Sequence, residues 1–265
     1  MDSRKELLKK CKYFILDMDG TFYLGNEIID GSLEFMDKLK ETGREFLFFT
    51  NNSSKSPEVY IEKLAKMNCH ITRDQIMTSG DVTIQYLKTY YPEKTIYLVG
   101  TEPLVKSFKE AGLHLIQEQP DIVVIGFDTT LTYEKLERAC TYIRNGSKFY
   151  ATHCDINCPT EHGFIPDVGS FNAAITLSTG GKVPRYFGKP CEETIEMILA
   201  HTHGRRNDLA FVGDRLYTDV ATGVKNGVPG LLVLTGEAAM EDVAKSEVKP
   251  DAVFKDLREI ASLLD

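Results

Sequence analysis

No stretch of this chain approaches the ~18 consecutive apolar residues of a membrane span. Its opening, MDSRKELLKKCK, is charged and lacks the apolar core of a secretory signal. Positive charge is not in excess either. The net charge of −8 at pH 7 argues against a general nucleic-acid or anionic-membrane surface. It does not exclude a phosphorylated substrate, because local site charge and bound metal decide that. Cysteine is sparse and scattered (Cys11, Cys69, Cys140, Cys154, Cys158, Cys191). With no export signal, the six are expected to be reduced thiols in a cytoplasmic protein. Repeats, low-complexity tracts and tryptophan are all absent.

What the chain does have is core-forming material. It is 42% hydrophobic and 26% charged over 265 residues, enough for one large domain or two modest ones. The stretch Tyr13–Thr21, YFILDMDGT, is the organising one. Four strand formers run into two carboxylates one residue apart, then Gly20 and Thr21. A fully apolar strand is buried on both faces, as in a parallel sheet covered by helices. Its carboxyl edge is where open α/β sheets bind ligands.

The rest of the chain extends that pattern. Gly25-Asn26 between short apolar pairs predicts a small hairpin. Ser32–Thr42 predicts a helix stopped by Gly43, and Glu45–Thr50 a second apolar strand ending in Thr50-Asn51-Asn52. Ser56-Pro57 opens another helix. From Asp81 to about Lys182 a separate α/β series follows, with strands at 96–99, 122–125 and 148–151 and helices at 102–111, 133–145 and about 170–177. Between them Thr152–Gly169 is expected to be a long irregular loop. The first pattern then resumes. Phe187-Gly188-Lys189-Pro190 precedes a helix, and Leu209–Val212 is a short strand ending in Gly213-Asp214. Leu216–Asn226 reads as a helix with Tyr217, Val220, Ala221 and Val224 on one face. Leu231–Leu234 is another strand, and a helix at Ile260–Leu264 closes the chain.

The expected architecture is α/β. A Rossmann-like parallel-sheet core (1–80 plus 183–265) carries an inserted α/β cap (81–182), with Ser79-Gly80 and Gly180-Gly181 as hinges. Asp17/Asp19, Thr50/Asn51, Lys189 and Asp214/Asp219 should then share one sheet edge. Neighbouring carboxylates repel, and desolvation worsens the repulsion. A hard divalent cation resolves it, and Mg²⁺ takes carboxylates together with phosphate oxygens. With a lysine, a hydroxyl and backbone N–H groups, the set describes phosphoryl transfer through an aspartyl-phosphate.

DMDGT, FFTNNSSK, GKP and GDRLYTD, in this order, resemble the four motifs of the haloacid dehalogenase-like hydrolase superfamily. The insertion between the second and third resembles the cap of its NagD/p-nitrophenylphosphatase branch. The resemblance implies a role for each motif position. Asp17 is the nucleophile, and Asp19 is the general acid and then base, its carbonyl also ligating Mg²⁺. Thr50, Asn51, Asn52 and Gly20 hold phosphate, and Lys189 bridges nucleophile and phosphate. Asp17, Asp19, Asp214 and Asp219 form the metal set, with Asp219 acting directly or through water. An aspartate ordinarily ionises near pH ~3.9, so Asp19 needs an upward shift to carry a proton near neutrality.

Plainer readings exist for each residue taken alone: a polar strand end for Asp17, a turn for Thr50-Asn51-Asn52, a surface lysine for Lys189, a first-turn helix acid for Asp219. The motif order outweighs them. His153, Cys154, Cys158 and His162 mimic zinc-ligand spacing, but they lie in one loop without a second ligand pair. The cap loop departs from the branch. Relatives tend to read ATNPD and a Pro-Gly-Ala-Gly-like string, whereas this chain has Ala151-Thr152-His153-Cys154-Asp155 and Pro166-Asp167-Val168-Gly169-Ser170. His153, Asp155 and Asp167 are therefore candidate substrate contacts.

The expected function is a Mg²⁺-dependent phosphatase for small phosphomonoesters: sugar phosphates, nucleoside monophosphates, phosphoglycolate, pyridoxal phosphate or aryl phosphates. The alternatives are a phosphotransferase or mutase using the same phospho-aspartate, and a non-catalytic phosphate-ligand binding protein. Neither nucleic acid nor membrane is an expected partner, and the resemblance leaves a homodimer open.

Overall fold

Tyr13–Leu16 lies inside a six-stranded sheet, between Leu209–Gly213 on one side and Glu45–Thr50 on the other, parallel to both. The full order is Ala252–Phe254, Gly230–Val233, Leu209–Gly213, Tyr13–Leu16, Glu45–Thr50, Ile76–Thr78. All four residues of the central strand are buried. That is why its sequence is an unbroken apolar run rather than an alternation. The computed structural model describes residues 2–160 and 163–265, and His162 lies outside them. Among the described residues no helix is long and apolar enough to cross a membrane.

The chain divides into two compact units. One comprises residues 1–50, 57–77 and 189–265, the other 51–56 and 78–188. The crossings differ from the expected hinges. Ser79-Gly80 opens a helix, Ser79–Tyr90, whose N-cap Thr78 forms a reciprocal capping box with Asp81. A Cβ on Gly80 would come within 2.9 Å of Leu104 Cδ1, so the dipeptide is packed tight. Gly180-Gly181 likewise falls inside the second unit.

The core of the first unit is built on aromatic rings. Phe14 meets Phe35 edge-on at 5.5 Å, and Phe22 meets Phe48 at 4.8 Å, all four fully buried. Such pairs contribute about 0.5–1.5 kcal/mol beyond the area they bury. The second unit has its own parallel sheet: Arg185–Tyr186, Lys148–Ala151, Ile122–Ile125, Thr95–Val99, His114–Leu115. Its core includes Val123, Ile125, Ala139, Cys140 and Ile143.

Several elements differ from the sequence reading. Thr152–Gly169 is not irregular throughout. It holds an antiparallel hairpin, Asn157–Thr160 with Gly163–Pro166, and the next helix starts at Val168. The hairpin is mostly exposed on both faces, so no burial-driven alternation marks it. Leu216–Asn226 is not one α-helix. Leu216–Val220 is a π-type turn and the α-helix runs Ala221–Lys225. The wider turn leaves Tyr217 58% exposed and turns Thr218 and Asp219 inward.

Candidate active site

Strand geometry brings the carboxylates together. The Asp17 N–H donates to Val212 O at 2.9 Å, prolonging the ladder one residue past the strand. The chain then turns sharply: Phe22 and Tyr23 both donate to Met18 O, and Gly20 takes φ +86°. On the neighbouring strand, Gly213 delivers Asp214 to the same edge. Leu16 pairs with Phe48, so Thr50, two residues on, ends its strand at that edge too.

Lys189 links the site. Its Nζ donates to Asp17 Oδ1 at 2.5 Å, to Asp219 Oδ1 at 2.6 Å and to Phe49 O at 3.3 Å, and the residue is only 4% exposed. Burial penalises the ammonium, but Asp17 and Asp219 outweigh that and hold its pKa above the usual lysine range. The second oxygen of Asp219 accepts the Arg215 N–H at 3.1 Å. The π-type turn makes this possible by aiming Asp219 back at Gly213, where a Cβ would come within 2.3 Å of Asp219 Cγ.

Asp214 accepts from Thr21 Oγ1 at 3.2 Å on Oδ1 and from the Glu237 N–H at 2.8 Å on Oδ2. Burial, reinforced by Asp17, raises its pKa. Burial also raises Asp219, against the pull of Lys189, and raises Asp19, where Lys63 opposes it and Asp17 adds to it. The Lys63 ammonium itself stacks 3.8 Å over the Tyr23 ring. The cluster is therefore short of positive charge. Asp17, Asp214 and Asp219 offer carboxylate oxygens within 4.8 Å of one another, a hard-oxygen donor set that fits a divalent cation.

The remaining expected site residues lie in the second unit. Asn51 Nδ2 donates to both oxygens of Asp155 at 3.1 Å, and the Asn51 carbonyl accepts from Ser79 Oγ at 2.5 Å. Asn52 shapes a turn, its Oδ1 accepting from the Ser54 N–H and hydroxyl. His153 is fully buried between Asp155 (Nδ1 to Oδ2, 3.7 Å) and Asp167 (Nε2 to Oδ1, 3.5 Å). Asp167 caps the helix Val168–Ser178 through the Val168 N–H at 2.6 Å. Burial pushes the Asp167 carboxyl up to about 6, with His153 and that N–H opposing and Asp155 adding.

Sequence reasoning passed over Thr21, Arg215, Thr235, Gly236 and Glu237, all of which contact the site's carboxylates or turns. A signal existed for three of them. Thr235-Gly236-Glu237 follows the apolar run Leu231–Leu234, the same buried-run-then-polar-tip pattern that picked out Asp17.

A parallel α/β core that presents acids at its strand tips, with a buried lysine beside them, is the scaffold of a phosphoryl-transfer enzyme. Residues 14–114 match the family model described as haloacid dehalogenase-like hydrolase, and residues 186–260 match one described as HAD-hydrolase-like. An acid sugar phosphatase of Staphylococcus aureus is 36% identical over 259 residues, spanning 97% of this chain and 100% of the relative. A 4-nitrophenylphosphatase from Thermotoga maritima superposes with a TM-score of 0.94 at 46% identity, covering 98% of this chain and 99% of that one. NagD from an E. coli K-12 strain superposes at 0.87 with 26% identity, covering 94% and 98%. The chain belongs to the haloacid dehalogenase-like hydrolases, and within them it is a phosphomonoester phosphatase of the NagD/p-nitrophenylphosphatase type.

Proposed function

We propose that the protein hydrolyses small phosphomonoesters in two steps through phospho-Asp17, with Mg²⁺ as its metal. The observation that carries this reading is the Asp17–Lys189–Asp219 arrangement, centred on the buried Lys189 and lying beside Asp214. Asp17 forms an O–P bond as the bond from phosphorus to the leaving oxygen breaks. Asp19, raised from the usual carboxylate range by partial desolvation, gives that oxygen its proton. Water then attacks phosphorus, Asp19 takes the water's proton, and the Asp17 carboxylate leaves with its charge restored. Lys189 neutralises Asp17 before attack and the phosphate oxygens after it.

Thr50, Gly20 and the Asn51 backbone complete the phosphate contacts in this reading. The Asn51 side chain is committed to Asp155. Bound Mg²⁺ would offset negative charge on the phosphate and the carboxylates, held by Asp17, Asp214 and the Asp19 carbonyl. With both oxygens engaged, Asp219 would act through water.

Sugar phosphates and aryl phosphates are the favoured substrates, since relatives are named for them. A cytoplasmic setting belongs to the same reading, supported by the buried thiols of Cys11, Cys69 and Cys140. A homodimer is also part of the proposal, by analogy with the branch. The test is phosphate release from a panel of small phosphomonoesters, with Mg²⁺ or chelator, beside Asp17→Asn. Metal-dependent turnover that the variant loses is the expected result. Turnover unaffected by chelator would overturn the metal assignment.

A further inference from the structure

The Asp214 carboxylate is held between two glycines. A Cβ on Gly20 would come within 2.5 Å of Oδ2, and one on Gly236 within 2.1 Å. Gly20 adopts φ +86°, which favours glycine on backbone grounds. Gly236 has no such φ, so its need for glycine is purely one of space.

Residues 235–238 are pinned across this carboxylate at three points. Thr235 Oγ1 donates to Gly20 O at 2.6 Å, the Glu237 N–H to Asp214 Oδ2 at 2.8 Å, and the Ala238 N–H to the Asp214 carbonyl at 3.1 Å. On the outside, Glu237 Oε2 is ion-paired with Arg215 Nε at 3.0 Å and accepts from Tyr217 OH at 3.2 Å. With Thr21 on Oδ1, each oxygen already has one donor that fixes its direction.

We infer that residues 235–238 are a strap that positions Asp214 for the metal, with Gly236 as its contact point and Thr235 as its anchor. The inference rests on the reading of Asp214 as a metal ligand. Mg²⁺ demands near-ideal octahedral geometry and gives up its waters reluctantly, whereas Ca²⁺ accepts flexible and bidentate carboxylates. A carboxylate fixed before binding lowers the cost of ordering it and suits the more exacting ion. The strap therefore contributes both to Mg²⁺ affinity and to the preference for Mg²⁺ over Ca²⁺.

The test is calorimetric titration of the whole protein, without substrate, with Mg²⁺ and separately with Ca²⁺. Gly236→Ala should weaken Mg²⁺ binding about tenfold or more, the usual effect of disturbing the groups that orient a metal ligand. Thr235→Val, which keeps shape and loses one hydrogen bond, should weaken it roughly fivefold. Thr235→Ser should bind as the unmodified protein does. Ca²⁺ affinity should fall less than Mg²⁺ affinity in both weakened proteins. If Gly236→Ala does not fold, the Thr235 pair decides. Mg²⁺ binding by the unmodified protein that both Gly236→Ala and Thr235→Val match would overturn the strap alone. No Mg²⁺ binding by the unmodified protein would overturn the metal reading and the strap with it.

Discussion

The Lys189 ammonium lies 2.5 Å from Asp17 Oδ1, shut away from solvent with a second carboxylate, Asp219, 2.6 Å from the same nitrogen. One buried cation thus serves a buried carboxylate, Asp219, and a partly buried one, Asp17. Removing the cation leaves uncompensated charge in a desolvated place, which costs about 3–5 kcal/mol. Lys189→Met should therefore lower stability by that order in urea unfolding without metal, and should cut kcat by about 10²–10³-fold. Lys189→Arg should not rescue it, because a planar guanidinium cannot replace a point charge within bonding distance of three oxygens. Unchanged stability in Lys189→Met would mean the pair carries no buried charge.

Asp19 offers a test that separates acid catalysis from binding. Asp19→Asn keeps the backbone carbonyl but cannot give a proton, so kcat should fall about 10²–10⁴-fold on alkyl phosphates. Aryl phosphates with good leaving groups need less help from an acid, so their dephosphorylation of substrate should suffer less. Single-turnover release of nitrophenol against release of an alkyl alcohol checks this. Equal losses on both would remove Asp19 from the leaving-group step.

Much of this site was legible because the strand tips are written in the sequence as buried runs followed by polar residues. Phe14, Ile15 and Leu16 need burial on both faces, and that alone places Asp17 at the carboxyl edge. The inner side of 216–226 was not legible. Tyr217, Val220, Ala221 and Val224 keep α-helical spacing, yet a π-type turn overrides it to bring Asp219 to Lys189. Glu237 stands at a strand tip that the sequence does mark, but its contact was hidden for another reason: it reaches Asp214 through its backbone N–H, and side-chain chemistry says nothing of that. The paired strands Asn157–Thr160 and Gly163–Pro166 left no trace because neither face is buried enough to impose a pattern.

The second unit makes its own prediction through Asp167. Its carboxyl is pushed from 3.8 up to about 6 by burial, with His153 and Asp155 the ionisable side chains facing it. The folded chain thus holds this proton more tightly than the unfolded chain does. The stability it contributes is full below pH 3.8 and is lost as pH rises through about 6. Asp167→Asn keeps the helix cap and cannot ionise. Between pH 4.5 and 7.5 the unmodified protein should lose about 2 kcal/mol relative to that variant, read from paired urea unfolding curves. A constant gap across that range would show that Asp167 ionises as it would in water.

The most direct measurement is a rapid quench of the protein mixed with a phosphomonoester labelled in its phosphate and Mg²⁺, followed by peptide mapping of the acid-stopped chain. Transient label on Asp17, absent from Asp17→Asn and lost to water as inorganic phosphate, is the result the two-step account predicts. Full turnover with no label on Asp17 at any quench time, in a protein that still binds Mg²⁺, would contradict it.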